Sequence, residues 1–300
     1  MNRLHSQVSL SIIIVTYNHS TEIKVCLEAI LKSEGDWHGE IILVDNASQD
    51  ETTKIIDELI KTNKNEQITV KLDALDQNTG FTRGSNLGLQ QAAGDFLLLL
   101  NPDTIVLPDT LSKLIDYLKK NPAVGIVAPQ LLFPDGRIQP SCRHFPERKD
   151  VLWHLLGLNA IFPRSSIFNR WKMGYFTHDR ELEVDQPQGA ALLTHRKAFE
   201  SIGFLDENFP MFFSDVDWCQ RFKESGWKII FYPNAKIIHH QGTSIHRNRA
   251  RMIWSSHLSF IHYFQKYRPG FWNQPINWLV GFLLILMAII RIVYVKVIRR

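Results

Sequence analysis

The chain has 300 residues, 45% of them hydrophobic and 21% charged, ample length for a core in one large domain or two modest ones. A net charge of +4 at pH 7, without a recognisable recognition module, argues against a nucleic-acid partner. Three cysteines, Cys26, Cys142 and Cys219, form no C-x-x-C pair, which argues against a cysteine-ligated zinc site and favours a reducing compartment.

The opening MNRLHSQVSLSIIIV carries one Arg and a short apolar run that leads into Thr16, Tyr17 and Asn18 without a small-residue cleavage pattern. It reads as a first strand over 10–15 and not as a signal peptide. Ile23, Leu27, Ile30 and Leu31 at helical spacing predict a helix over 21–31. A second strand over 40–44 ends at Asp45, and the stripe of Ile55, Ile56, Leu59 and Ile60 predicts a helix over 50–60. A third strand over 68–72 and a helix over 82–93 follow.

Five apolar residues, Phe96–Leu100, then read as a strand covered on both faces. Pro102 cannot continue a central strand, so the chain breaks just before Asp103. Asp103 therefore either holds a cation in the crevice at the carboxyl end of an open α/β sheet or caps the helix predicted over 108–120. A strand over 124–128 completes the alternation, which implies a mainly parallel sheet with helices on both faces.

Prolines at 134, 140, 146 and 163 loosen the pattern over 133–185, a stretch that reads as loops and short helices over the sheet edge. Order returns with a strand over 189–194, a helix over 215–225, and short strands over 228–231 and 236–238. Residues 279–290 are uninterruptedly apolar, and Trp272 and Trp278 beside them suit a membrane interface. A spanning helix needs about 20 apolar residues, and 276–298 reaches that length only by including Asn277, Arg291 and Lys296. A helix lying in the interface, a single span and a soluble core helix compete. A span would carry Lys296, Arg299 and Arg300 away from the cytoplasm, against the positive-inside tendency, so shallow attachment is favoured.

Polar residues collect at the strand ends: Thr16, Tyr17 and Asn18 on the first, Asp45, Asn46 and Ser48 on the second, Asn101 and Asp103 on the fourth. Parallel strands end on one side of a sheet, so Asp45 and Asp103 are expected to face a common crevice. Asn78, Gly80, Phe81, Arg83 and Gly84 form a loop entering a helix, where glycine permits close backbone approach and Arg83 suits a phosphate or a neighbouring carboxylate. The absence of G-x-x-x-x-G-K-S/T and of G-x-G-x-x-G between strand and helix removes an ATPase and a dinucleotide dehydrogenase.

The blocks SIIIVTYNH, ILVDNASQD, NTGFTRGSN, LLLLNPD, QGAALLTHR, GFLDENFPMFFSDVDWCQRFKESGW and IIHHQGTS, in this order over about residues 9–246, resemble the family-2 glycosyltransferases. Within them they look most like the rhamnosyltransferase-like branch that acts on bacterial cell-surface polysaccharide. The resemblance implies an α/β GT-A fold, an inverting mechanism and a nucleoside-diphosphate sugar donor. It implies a nucleotide-sugar-binding half over 1–130, an acceptor-binding and catalytic half over 131–250, and a membrane-associating helical segment over 251–300.

Carried over by position, Thr16, Tyr17, Asn18, Asp45 and Asn46 match residues that hold the nucleotide, with Asn78, Gly80 and Arg83 in the loop beside them. Asn101, Pro102 and Asp103 match the DxD motif in a form with one carboxylate, so a bound Mg or Mn needs the donor diphosphate and a further side chain. His239, five residues before Ser244 as in the H-x-x-G-x-S block, is that candidate, with His240 the alternative. Asp215 matches the catalytic base, with Gln188, Gly189, Asp217 and Arg221 on the acceptor and supporting side; Ser214 stands where the family usually has Glu. The basic run Arg247, Arg249 and Arg251 after His246 is either a solvated face or an attraction for anionic head groups or the diphosphate of a lipid-linked acceptor.

The expectation is a transferase at the cytoplasmic membrane face that moves one sugar, L-rhamnose from a dTDP donor, onto a lipid-linked saccharide. A UDP-hexose donor is the alternative. A non-catalytic sugar-nucleotide binder is the rival, encouraged by Ser214 and the lone Asp of the metal motif. A processive synthase is disfavoured, because it would carry several spans and a Q-x-x-R-W block.

Overall fold

The computed structural model describes residues 8–240 and 249–298. Strands β1 (Val8–Thr16), β2 (Trp37–Asp45), β3 (Ile68–Ala74) and β4 (Phe96–Leu100) alternate with helices α1 (Ile23–Leu31), α2 (Thr52–Thr62) and α3 (Phe81–Gln91). The short β5 (Thr104–Val106) precedes α4 (Thr110–Lys120) and β6 (Val124–Leu132). The loosely patterned stretch holds β7 (Ile138–Gln139), β8 (Cys142–Arg143), α5 (Arg148–Leu155), α6 (Leu158–Ile161), β9 (Leu182–Glu183) and β10 (Gln186–Pro187). Then come β11 (Ala191–His195), α7 (Arg196–Ile202), α8 (Ser214–Glu224) and β12 (Lys228–His239). A penultimate helix Arg249–Tyr267, a 3₁₀ turn Phe271–Asn273 and a C-terminal helix Gln274–Ile298 end the described chain.

The main sheet runs in the order β3-β2-β1-β4-β11-β6-β12-β5. The first four strands are parallel, as the alternating pattern predicts. β11 enters antiparallel to both neighbours, pairing Ala191 with Leu100 and Leu193 with Val127, so the sheet is mixed. Successive residues alternate between its faces: Leu10, Ile12 and Ile14 pack under α1, α2 and α4, whereas Ile13 packs under α3, α7 and α8. This two-sided burial is why β1 and β4 read as unbroken apolar runs.

Three expectations change. Asp103 does not cap α4, because β5 intervenes and that helix starts at Thr110. The two short strands expected over 228–231 and 236–238 are one strand, β12, whose pairing with β6 shifts between Tyr232 and Lys236, around Pro233, which has no N–H to donate. β6 continues through Pro129 to Leu132, and Pro129 lies beyond the residues that β11 pairs.

A third cluster joins Val151 of α5 and Phe213 and Val216 of α8 to Tyr263, Phe264, Val280 and Leu284 of the last two helices. The C-terminal helix therefore shares a core with the domain along one face. Beside this cluster Asp217, fully buried, accepts hydrogen bonds from Arg221 Nε at 2.9 Å and Tyr267 Oη at 2.6 Å and pairs with Lys266. Lys266 also reaches Asp206 at 2.7 Å. Breaking one member of such a buried pair costs about 3–5 kcal/mol, because the remaining charges stay uncompensated. Asp217→Asn should lower the unfolding free energy of the detergent-solubilised protein by about 3–5 kcal/mol, read as a lower urea midpoint at unchanged slope; an unchanged midpoint would show that this latch does not hold the penultimate helix down.

Candidate active site

A cavity of about 530 Å³ opens at the carboxyl edge of the parallel strands. Thr16, Tyr17, Asn46, Asn78 and Gly80 line one side; Asn101, Asp103 and His239 lie at the middle; Gln188, Gly189 and Asp215 form the far side. Sheet register brings these distant segments together. β11 runs antiparallel to β4, so its amino end, with Asn101 N–H bonded to Ala190 O at 2.9 Å, meets the edge where β4 ends. β12 pairs His239 with Thr104, the residue after Asp103.

On the first side most polar groups hold the loops in shape. Asp45, 1% exposed, accepts from Thr16 Oγ1 at 2.7 Å and Ser48 N–H at 2.8 Å, so its carboxylate is turned to the loop and not, as expected, into the crevice shared with Asp103. Asn46 ties in the next loop, donating to Gly80 O and accepting from Thr79 N–H, each at 3.1 Å. Asn18, at φ 57°, accepts from Gln49 N–H at 2.7 Å and does not line the cavity. Tyr17, in contrast, is 41% exposed, a ring face open to a planar base. Arg83 is exposed on α3 outside the cavity, with no ion pair among the described residues. Gly80 sits at φ 90° with Pro210 O 3.0 Å from where a Cβ would stand, so the position requires glycine.

At the middle, His239 Nε2 lies 3.4 Å from Asp103 Oδ1, and both residues are almost fully buried. His239 Nδ1–H donates to Gln139 Oε1 at 2.8 Å. That bond fixes the ring so that Nε2 faces the carboxylate: a protonated imidazole donates to Asp103 there, and a neutral one turns its Nε2 lone pair beside the carboxylate as metal ligands converge. Burial pushes the Asp103 carboxyl up, but the hydrogen bond and charge of His239, with the charge of His19, outweigh it and hold Asp103 below the ordinary carboxylate range. This donor set, one carboxylate and one imidazole, suits Mg or Mn completed by a diphosphate. No cluster of three His, Cys, Asp or Glu side chains that could hold a metal by itself occurs among the described residues. His240 is exposed, and its N–H bonds to Asp103 O at 3.0 Å. His246, Arg247, and the Ser244 and Gly242 of the H-x-x-G-x-S block lie outside the described residues.

On the far side, Asp215 opens α8 after Phe213, a bulky residue at φ 70°, where such side chains are rarely found. Asp215 Oδ2 accepts from Gly189 N–H and Gln186 Nε2, both at 3.0 Å, and Oδ1 accepts from Val216 N–H at 2.9 Å. A Cβ at Gly189 would stand 3.0 Å from Asp215 Oδ2, so only glycine lets this backbone approach the carboxylate so closely. Burial pushes the Asp215 carboxyl above its ordinary value, and the hydrogen bonds offset only part of that. Asp217 and Arg221 point instead to the latch described above and do not line the cavity.

Several lining or supporting residues escape sequence reading. His19 lines the cavity and its Nδ1 accepts Tyr17 N–H at 3.1 Å; it ends the block SIIIVTYNH, which is the signal that could have found it. Gln139 and Gln186 lie on two-residue strands without any period. Trp171 of the loop and Met252, Ser255 and Phe260 of the penultimate helix form one wall, with Trp171 and Phe260 edge-on at 5.2 Å. An amphipathic pattern alone does not distinguish such a wall from an ordinary core contact.

The description Glycosyl transferase family 2 matches residues 11–176, more than half of the chain. The N-acetylglucosaminyl-diphospho-decaprenol L-rhamnosyltransferase of Mycobacterium tuberculosis is 27% identical over 90% of this chain and 88% of its own length. Rhamnosyltransferase WbbL of Escherichia coli K12 is 27% identical over 80% of this chain and 85% of its own. The mannosyltransferase PcManGT of Pyrobaculum calidifontis, solved with GDP-Man and Mn2+, superposes with a TM-score of 0.59 at 18% identity, covering 92% of this chain and 70% of that one. S. aureus TarS in complex with UDP superposes at 0.52 with 16% identity, covering 84% and 65%. These likenesses extend the shared fold from the nucleotide side of the sheet to β11 and β12. The chain belongs to Glycosyl transferase family 2 and is a glycosyltransferase with a GT-A fold.

Proposed function

We propose that the protein transfers a single sugar, L-rhamnose from dTDP-rhamnose, to a lipid-linked saccharide during cell-surface polysaccharide synthesis. The observation that carries this reading is the placement of the Asp103–His239 pair and the elevated Asp215 in one cavity. The rhamnosyltransferase names of two relatives that match most of this chain support the sugar and the lipid-linked acceptor. UDP-hexose remains the competing donor, and release of nucleoside diphosphate from a panel of nucleotide sugars separates the two.

In the mechanism, Thr16, Tyr17 and the Asn78–Gly80 loop hold the nucleotide in the half over 1–130, and Asp103 with His239 would hold a divalent metal. When bound, that metal stabilises the negative charge that develops on the leaving diphosphate. Asp215 accepts the proton of the acceptor hydroxyl as that oxygen bonds to the anomeric carbon. The bond from that carbon to the phosphate oxygen breaks, its electron pair leaves with the nucleoside diphosphate, and the configuration inverts. Gly189 N–H and Gln186 Nε2, bonded to the carboxylate, keep Asp215 aimed into the cavity, where Gln188 lines the acceptor side. Ser214, fully buried, supplies no second carboxylate, so Asp215 acts alone as base.

The C-terminal helix supports attachment to the cytoplasmic face of the membrane. An 18-residue window within Phe271–Val297 reaches a mean hydropathy of 2.5, and Trp278, Leu279, Phe282, Leu286, Ile290 and Tyr294 are exposed along one side. The other side packs into the third core cluster through Val280 and Leu284. A helix held to the domain on one side and apolar on the other suits lying in the interface.

Asp215→Asn should lower turnover at least about a hundredfold with donor affinity retained, the lower limit for a positioned base. Its folded pKa is raised above the unfolded value, so the folded state holds the proton more tightly. The associated stability is present below the unfolded pKa and is lost as pH rises through the folded one. At neutral pH the ionised Asp215 therefore opposes folding relative to its protonated form. Wild-type turnover should fall on acidification with an inflection above the ordinary aspartate value of about 3.9. An active Asp215→Asn protein would remove the residue from catalysis.

Asp103→Ala should abolish the gain in donor affinity that Mn or Mg gives in calorimetry; equal affinity with metal, with chelator and in the variant would end the metal assignment. Leu279→Gln with Phe282→Gln and Ile290→Gln, all on the exposed side, should release the protein from vesicles in flotation without lowering its melting temperature. Continued flotation of that variant would place the attachment elsewhere.

A further inference from the structure

A group of basic side chains lies behind Asp215, and among the described residues Arg143, Lys172 and Arg291 make no salt bridge to a carboxylate. Arg143 of β8 pairs in register with Gln186, the residue whose side chain holds Asp215, and its Nη1 donates to Cys142 O at 2.8 Å and Lys172 O at 3.5 Å. Lys172 follows directly on Trp171 of the cavity wall. Across from it, His257 stands one turn before Phe260 on the penultimate helix, and Arg291 projects from the C-terminal helix. His154 of α5 completes the group, between the exposed Leu152 and Leu156.

Neither Arg143, Lys172 nor Arg291 forms an ion pair among the described residues, whereas eleven other Lys and Arg side chains do. Burial lowers the Lys172 ammonium first, and the charges of Arg143 and Arg291 lower it further. The same pattern holds for His154, where burial is followed by Lys172, Arg291 and His257. Two half-buried like charges, on Arg143 and Lys172, with Arg291 near them, oppose folding, and an anion seated on them would offset that. The Trp171 indole N–H beside them is buried and has no hydrogen-bond partner, a donor waiting for an acceptor oxygen.

The order in space specifies the anion. Arg143 stands in register beside Gln186, which holds Asp215, and its guanidinium reaches the Lys172 carbonyl; Lys172 and His154 feel the charge of Arg291, and Arg291 follows the exposed Phe282, Leu286 and Ile290 on the C-terminal helix. An amphiphile whose sugar reaches the base, whose charge lies at the cations and whose hydrocarbon leaves along the apolar face has this same order. We propose that Arg143, Lys172 and Arg291 bind the diphosphate of a polyprenyl-diphosphate-linked acceptor and set the distance from the membrane surface to Asp215. This inference rests on the transferase reading above and assigns its acceptor subsite.

The test uses the full chain in detergent, saturated with UDP or dTDP so that the donor site is closed, and farnesyl diphosphate as the probe. Inorganic diphosphate and farnesol serve as the chain-free and charge-free controls. Farnesyl diphosphate should bind more tightly than either control. Lys172→Gln with Arg291→Gln should weaken it at least about tenfold, as expected for losing charge-assisted contacts to phosphate, with nucleotide affinity and phosphatidylglycerol-vesicle binding unchanged. Removing mutually repelling charges should leave the variant folded, which its melting temperature checks. Undiminished farnesyl diphosphate binding in the variant overturns the proposal. An equal loss of vesicle binding also overturns it, because the cluster would then read head groups in general. Failure of wild type to bind either nucleotide would count against the donor reading and not against this site, since the probe arm is judged on its own.

Discussion

The pairing of β11 against β4 is the constraint on which the site depends. Pro102 ends the parallel strand, and Asn101 N–H bonds to Ala190 O at 2.9 Å, so a strand arriving from the other direction begins where β4 stops. Its reversed sense brings Gly189 to the edge that Asp103 leaves, and Gly189 N–H then meets Asp215 at 3.0 Å. Had β11 run parallel, its carboxyl end and not its amino end would stand there. The route from residue 101 to residue 239 closes on one cavity because β12 returns beside β5 and places His239 next to Asp103.

Within that cavity the same residue type takes two states. Asp103 has His239 and His19 as neighbours, and their charge holds its proton off despite burial. Asp215 has only backbone N–H groups and an uncharged Gln186 side chain, so burial prevails and its proton affinity rises. A carboxylate that stays ionised suits cation binding, while one with raised affinity suits taking a proton. Separating the environments of two acids is a general way to divide such roles at one pH.

The parallel half of the sheet was readable because its burial pattern is periodic: Leu10, Ile12 and Ile14 to one face and Ile13 to the other leave no polar position to misread. The polar ends of β1, β2 and β4 were readable for the complementary reason, since buried strands rarely end in such groups without use for them. Asp45 shows the limit of that reading. Its position at the strand end was predictable, but the choice between an open crevice and a turn from Thr16 to Ser48 depends on loop geometry that no period encodes. Gln139 and Gln186 were invisible for the same cause, lying on two-residue strands stabilised by tertiary contacts alone. The cation cluster was hidden differently: Arg143, Lys172 and Arg291 are separated by long stretches of chain, and Arg291 within an apolar helix looked only like an interruption of a membrane segment.

Asp215 and Asp217 show how little sequence separates a functional carboxylate from a structural one. Successive residues of an α-helix turn by about 100°, so two positions apart they project about 200° from each other. One faces the cavity, the other the penultimate helix, where Arg221, Lys266 and Tyr267 surround it. The latch at Asp217 therefore fixes the rotation of α8 about its axis, and with it the direction in which Asp215 points. It also anchors the helix that carries Phe260 and Ser255 into the cavity wall and leads into the apolar C-terminal helix. Because the penultimate helix leads into that last helix and both pack on the third core cluster, Asp217 ties the rotation of α8 to the packing of the two C-terminal helices.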